Sequence, residues 1–497
     1  MKQQKVLRII FLRFLGSLKI ITFDISVNHR IMKFKILFGI SFWIFLFAVS
    51  CKNEEISFDQ PTKDLRFSKD TMFLDTIYNQ VRSETYAVKV YNNENKNVSI
   101  PRIYLEGGAS SPYRINVDGK AGIDFSNVDL RKKDSLYIFI EIAPIANAKE
   151  AIAEDRIVFE NALGKQHVTL LSVVQDADFY IQSETNPNII TQNTTWTNNK
   201  AKIIYGDLTL AEGKTLDIQA GTKVYFTKKS GLKVSKNAQL NINGAFNNDV
   251  VLRGDRNDSR YDTIPMNWRG ISLEQGATLN MKYARVFGGE TGLALNNATA
   301  NIENSFIHTF QEYGILAVNS TLKAKNVVTN NCGQAGVGIF KGGNVDLTHC
   351  TLANYWDLNR SMPSLGLYAT NEWTENGTTQ NGALTLNIKN SIVYSDKETS
   401  ILFKAISGQT FNYLVQSSLI KYSERNSGFS FDTNPSVQNS IKNEDPKFLF
   451  PFVSKMNLRV KDDSPAKGKG SVSVANLVPQ DIVGNSRTTS PTIGAYQ

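Results

Sequence analysis

Gly270-Ile-Ser-Leu273, Gly292-Leu-Ala-Leu295, Gly314-Ile-Leu-Ala317 and Gly336-Val-Gly-Ile339 stand 22 residues apart, each a glycine opening a short alternating apolar stretch. A strict period of this length marks a solenoid, whose repeats cannot bury their apolar faces alone and do so against their neighbours. Upstream, Gly206-Asp-Leu-Thr-Leu210, Thr215-Leu-Asp-Ile218, Lys223-Val-Tyr-Phe226 and Gly231-Leu-Lys-Val234 have the pattern of short strands broken by Ala-Glu-Gly and Ala-Gly-Thr turns. Three strands per coil predict a parallel β-helix with coils stacked about 4.8 Å apart. A repeated Leu-x-x-Leu-x-Leu-x-x-Asn pattern is missing, which argues against leucine-rich repeats. The Gly-Gly-x-Gly-x-Asp nonapeptide of calcium-binding rolls is missing as well.

The period also serves as a ruler. Gly231 and Gly270 are 39 residues apart, and the excess falls on Gly254-Asp-Arg-Asn-Asp-Ser-Arg-Tyr-Asp262 to Trp268. Gly336 and Gly366 are 30 apart, and the excess falls on Tyr355-Trp-Asp-Leu-Asn-Arg360 to Ser364. Both insertions precede a repeat glycine, so they are expected at the same turn, about 20 Å from one another along the coil axis. A third, Asn371 to Gly382, follows the glycine strand and is expected at another corner. Insertions that recur on one side of a solenoid commonly build its binding face.

Residues 65–180 alternate in short β-type runs separated by turn signals: Tyr86–Tyr91, Ser99–Leu105, Leu136–Ile142, Arg156–Phe159 and Val168–Val174. Such spacing predicts an immunoglobulin-like β-sandwich. Ala143–Glu154 is expected to be a polar loop. The predicted fold is therefore all-β: a sandwich over 65–180, a right-handed parallel β-helix over 190–440 and a capping segment over 441–497. The cap would cover an open strand edge that otherwise invites aggregation.

The formal charge of +9 does not point to nucleic acid. Residues 1–50 hold eight Lys/Arg and one acid, so the rest of the chain carries a net of only +2. No long basic run is left for a phosphate backbone. Instead, Lys33 and Lys35 precede an apolar run from Ile36 to Val49 and then Ala48-Val-Ser-Cys51, the arrangement of a secretory signal. The run is shorter than the roughly 20 residues of a membrane span. Its end resembles the lipobox of bacterial lipoproteins, without the usual leucine. On that resemblance Cys51 is the lipidated N-terminus, Met32 is a plausible start, and residues 51–64 form a tether. Glu54-Glu55 is similar to signals that export lipoproteins to the cell surface. Cys332 and Cys350, 18 residues apart, are expected as two buried small apolar residues rather than a disulfide.

Ser110-Ser-Pro-Tyr-Arg-Ile-Asn-Val-Asp-Gly119, Ala220-Gly-Thr-Lys-Val-Tyr-Phe226, Leu252-Arg-Gly-Asp-Arg256, Thr348-His-Cys-Thr-Leu-Ala-Asn-Tyr-Trp356 and Ile493-Gly-Ala-Tyr496 give the chain its closest likeness. Together they resemble an uncharacterised family of Bacteroidetes lipoproteins with a right-handed parallel β-helix of the pectate-lyase-like superfamily. The resemblance implies an outer-membrane, lipid-anchored protein, and transfers no activity.

Two functions follow as expectations. The first is a cell-envelope scaffold that binds glycan or protein ligands. Tyr261 and Trp268 flank the first insertion, and Tyr355, Trp356, Tyr368 and Trp373 flank the later ones; aromatic faces can stack on sugars. The alternative is a polysaccharide lyase or glycoside hydrolase, which needs converging carboxylates or a base with a cation. Asp255, Asp258, Asp262 and Arg269 are its candidates; no cofactor is expected, calcium being the ion such carboxylates could hold but one that no motif supports. The same residues also describe an ordinary solvated loop. Along Thr278–Val286, Thr299–Ile307 and Thr321–Thr329 the one acid is Glu303, and His167, His308 and His349 are too scattered for a zinc site. His308 and His349 are expected to satisfy hydrogen bonds in the core or turns.

Overall fold

A computed structural model describes residues 56–78, 83–142, 150–256, 259–427 and 429–497. The chain divides into two units, Met1–Asp59 and Gln60–Gln497; Cys51 and the apolar run before it lie outside the described residues. Among the described residues no helix is long and apolar enough to cross a membrane. The second unit is nearly all β.

Its first part holds two five-stranded sheets. One runs in the order Arg66–Phe67, Tyr86–Tyr91, Ser135–Ile142, Tyr113–Val117, Lys120–Gly122 and is antiparallel throughout. The other runs Thr71–Tyr78, Gly164–Gln175, Glu150–Asn161, Val98–Leu105, Asp124–Leu130, with one parallel pair at Thr71–Tyr78. Period-2 alternation builds the core between them. In Ser135–Ile142, Leu136, Ile138, Ile140 and Ile142 point inward and are buried with Val98, Ile100, Ile157 and Leu170 of the other sheet. Glu150–Glu154 belongs to a strand rather than a loop, because Ala151 and Ala153 pack against this core while the strand pairs with Gly164–Gln175 along its whole length. Ala143–Lys149 lies outside the described residues.

The second part is a single 26-stranded sheet that begins at Ala177–Ile181, one coil earlier than the sequence suggests. Along most of it each strand pairs in parallel with the strand three further on, so the sheet winds into coils with three rows of strands. The glycine-led row contains Asp207–Leu210, Gly231–Val234, Gly270–Leu273, Leu293–Asn296 and Leu365–Thr370. Its inward residues form a column, Leu232, Ile271, Leu293, Ile315, Val337, Leu367 and Ile401, in which every member is at most 1% exposed.

The glycine period has a steric cause. A Cβ on Gly292 would stand 2.4 Å from the Gly314 carbonyl oxygen, one on Gly314 2.7 Å from that of Gly336, and one on Gly336 2.9 Å from that of Gly366. Here the chain turns against the next coil with no room for a side chain. A second corner, between the other two rows, is left-handed in successive coils. Tyr283, Asn304, Asn326, His349, Asn390, Ser417 and Asn439 stack there with φ between 46° and 52°. Asparagine tolerates this region best among residues with a Cβ, and the Asn326 amide donates to Asn304 Oδ1 at 2.8 Å.

The first and second insertions both leave the coil between the third row and the glycine-led row, after Val250–Gly254 and Thr351–Asn354 respectively. The third forms a hairpin, Glu372–Glu375 with Thr378–Asn381. Residues 441–497 are not confined to the end of the coil. Phe448, Leu458, Ala466, Ile482, Ile493 and Tyr496 cover Val328, Ala353, Tyr355, Ile392 and Leu419, which face outward from the third row. The core at the end of the coil is filled by rings of Phe403, Phe411, Tyr413, Tyr422, Phe429 and Phe431. Cys332 and Cys350 are free, buried thiols.

Gly292→Ala should cost roughly 2–4 kcal/mol through overpacking. Gly408→Ala, where φ is 79° but nothing lies within 4 Å of the new carbon, should cost about 1 kcal/mol. Urea midpoints of the two variants check this; equal shifts would remove coil-to-coil contact as the reason for the period.

Candidate binding face

The charged residues of the first insertion are spent on one another and on the adjoining sheets. Arg253 Nη1 lies 2.6 Å from Asp262 Oδ1, and Arg269 Nη1 lies 2.7 Å from Asp207 Oδ2. Arg256 bridges the two parts of the unit: its Nη1 is 2.6 Å from Glu84 Oε1 and also donates to the Tyr261 hydroxyl, whose ring lies 4.9 Å under the guanidinium. Tyr78 of the paired sheets also meets Tyr225 of the coil, with ring centres 5.0 Å apart. Burial pushes the Asp255 carboxyl up to about 6; Arg256 and Arg253 oppose the shift and Glu84 adds to it. Asp258 lies outside the described residues. Among the described residues no three His, Cys, Asp or Glu side chains converge on a point where a metal ion could sit.

Three of the aromatic candidates are core residues and cannot stack on a ligand. Trp268 is fully buried, lies 4.3 Å from Phe226 at an interplanar angle of 14°, and donates its indole N–H to the Phe287 carbonyl at 2.8 Å. Trp356 is 1% exposed, and Tyr355 is covered by Phe448 and Phe452 of the C-terminal tail. The insertions fold their large rings back into gaps where they rejoin the coil. His308 and His349 are buried and neutral, each lowered to about 3 by burial. His349 Nδ1 faces the Gly494 carbonyl at 3.2 Å while Nε2 faces the Asn390 amide at 3.0 Å, which sets Nδ1 as the protonated nitrogen.

Tyr368 and Trp373 do come together, on the outer face of the glycine-led row. Phe340 is their hub, 5.2 Å from the Tyr368 ring, 5.2 Å from the Trp373 ring and 5.7 Å from the Tyr313 ring. All four residues are half-buried. The sequence reading missed Tyr313 and Phe340. The available signal was Gly338, two residues after a repeat glycine: a Cβ there would lie 2.7 Å from Tyr313 Cδ1 and 3.1 Å from Phe340 Cε2, so its absence seats both rings. Burial, then Glu312 and Tyr368, push the Tyr313 hydroxyl up to about 12, so it remains a donor at neutral pH.

Polar groups border this aromatic floor. Glu372 pairs with Lys404, and Lys341 Nζ reaches Gln380 Oε1 of the hairpin at 2.5 Å. Towards the start of the coil the same face continues through the outward residues Leu316, Ala294 and Ser272. It ends in a shallow groove of about 200 Å³ over Gly231 and Gly270, lined by Asp207, Lys233, Arg269 and Thr291. The face can therefore offer ring stacking at one end and paired charges at the other. Two carboxylates border it, Glu290 and Glu312 in adjacent coils, and Glu312 accepts a hydrogen bond from the Thr291 hydroxyl at 3.2 Å.

The Asp255 carboxyl is held above its ordinary 3.8 in the folded chain, so ionising it costs stability as pH rises from about 4 through about 6. Asp255→Asn should be more stable than the parent by roughly 1–3 kcal/mol at pH 8 and equal to it below pH 4. Urea unfolding at the two pH values measures this, and a less stable variant at pH 8 would show that Arg256 holds the carboxylate ionised. Among known proteins, no family model matches the chain and no curated protein does. Solved structures with partial likeness include the VesB protease of Vibrio cholerae, at 14% identity over 23% of this chain and 32% of that one with a TM-score of 0.15. Another is a family 123 glycoside hydrolase from Clostridium perfringens, at 14% identity over 27% and 30% with a TM-score of 0.19. The chain thus spans about a third of the length of these proteins, and superpositions of this quality carry neither fold nor activity across.

Proposed function

We propose that the chain is a non-catalytic binding scaffold of the bacterial cell envelope, held to the outer membrane by a lipid on Cys51. In this reading the coiled sheet is a right-handed parallel β-helix, the paired sheets before it are an immunoglobulin-like sandwich, and the likeness to Bacteroidetes lipoproteins reflects kinship. The glycine-led face takes a carbohydrate chain lying along the coils. The observation that carries the reading is the half-exposed floor of Tyr313, Phe340, Tyr368 and Trp373. Clustered rings that stay only half-buried are suited to the apolar faces of sugars, and Lys341, Gln380 and Glu372 border them with groups that can bond hydroxyls. The lyase or hydrolase alternative rests on Asp255, whose raised carboxyl is the sort of group a general acid requires. It has no second free carboxylate beside it among the described residues, since Asp262 is tied to Arg253.

A broad glycan array with the soluble chain tests binding, and a reducing-end assay on the retained glycans tests turnover. Retention without new ends is expected. Trp373→Ala and Tyr368→Ala should each weaken retention about tenfold, the order of one aromatic contact. Absence of retention on the array, or retention indifferent to both variants, would remove the face as a carbohydrate site; new chain ends abolished by Asp255→Ala would replace binding with catalysis.

A further inference from the structure

A second platform lies on the sheet formed by Tyr86–Tyr91, Ser135–Ile142 and Tyr113–Val117, away from the coil face. Tyr137 and Phe139 occupy alternate, outward positions of one strand, and their rings lie 6.0 Å apart with planes within 10° of parallel. They are 44% and 43% exposed, whereas the residues on either side of them, Leu136, Ile138 and Ile140, are buried. Solubility alone would favour polar side chains at these two positions, because adjacent large apolar groups on one exposed face promote association. Two neighbouring parallel rings are a surface of definite shape, unlike isolated exposed apolar residues.

Cations outnumber carboxylates around the rings. Lys89, directly across from Tyr137 in the sheet, holds its ammonium 4.6 Å from the centre of that ring. Arg66 holds its guanidinium 5.8 Å from the Tyr91 ring on the same face. Arg114 points outward on the next strand and is exposed, donating from Nη1 to the Ser111 and Tyr113 carbonyls. The outward acid of these strands, Glu141, accepts a hydrogen bond from the Thr85 hydroxyl at 2.8 Å. Rings supply faces for pyranose C–H groups, and three cations to one occupied carboxylate supply attraction for anionic substituents.

We infer that the outer face of this sheet, centred on Tyr137 and Phe139 with Lys89, Arg66 and Arg114 beside them, is a binding platform for an acidic polysaccharide whose sugar rings stack while its carboxylates meet the cations. The platform is independent of the coil face, and a chain carrying both would hold an extended glycan at two points, raising avidity through effective concentration rather than through new contacts.

Affinity gel electrophoresis tests it directly, with the full chain run through gels containing polygalacturonate, a neutral β-glucan or no polymer. The parent should be retarded by polygalacturonate and less so as salt is raised. The double variant Tyr137→Ala/Phe139→Ala should bind about tenfold more weakly, and Lys89→Gln about threefold more weakly. Tyr137 and Phe139 are exposed and Lys89 lies on the same outer face, so unchanged melting temperatures are expected and confirm that folding is not the cause. Trp373→Ala on the coil face should leave this retardation unchanged. A loss confined to Trp373→Ala would assign the polymer to the coil face and overturn the sheet platform while leaving the other reading intact. No retardation of the parent, retardation unchanged in the double variant, or stronger retardation by the neutral glucan would each overturn the inference.

Discussion

The distance between one coil and the next governs the molecule. Parallel strands hydrogen-bonded in register leave about 4.8 Å between backbones, and where the chain turns into the glycine-led row the carbonyl of the next coil stands within 3 Å of where a side chain would begin at Gly292, Gly314 and Gly336. Only hydrogen fits. Once this contact fixes the register, each inward residue lands on its counterpart one coil away, and the column from Leu232 to Ile401 follows without further specification. The asparagine-rich corner is a second expression of the same stacking, with left-handed residues placed over one another so that side-chain amides can join coil to coil.

Close stacking also shapes the candidate binding face. A row led by glycines has a low outer surface, and a shallow groove opens over Gly231 and Gly270. Further along, Gly338 lets the Tyr313 ring lie down beside Phe340 rather than stand away from the coil. The insertions do the reverse. They carry charge and bulk, but Arg253, Asp262 and Arg256 are engaged with neighbours, and Trp268 and Trp356 are drawn inside. The irregular segments thus brace the structure, and the aromatic floor lies mainly on regular coils, with Trp373 contributed by the hairpin.

Glycine spacing was legible because sterics forbid alternatives at that turn, and Tyr86–Tyr91 was legible because alternation leaves a strand only one way to bury Val88 and Val90. Asn304 and Asn326 carried the same 22-residue period as the glycines, but asparagine has several structural roles and its left-handed corner went unread. Tyr313 and Phe340 fall at outward positions that sequence cannot distinguish from ordinary solvent-facing residues, since what unites them is the missing side chain of Gly338. The fate of Trp268 and Trp356 depends on how each insertion returns to the coil. That is settled by contacts such as Trp268 with Phe226, 42 residues earlier in the chain, and local pattern carries no trace of it.

The C-terminal tail is locked to the flank of the coil. Arg487 is 1% exposed and donates to Asn326 Oδ1 and to the carbonyls of Gly494 and Ala495, tying a corner of the coil to residues 161 positions later. The apolar outer surface of Val328, Ala353 and Ile392 is therefore covered by residues far downstream of each, from Phe448 and Leu458 to Ile493 and Tyr496. A chain that stops short keeps its coils but exposes a sticky flank. Clipping the tail would therefore present chaperones and proteases with an apolar flank that residues 448–496 keep covered.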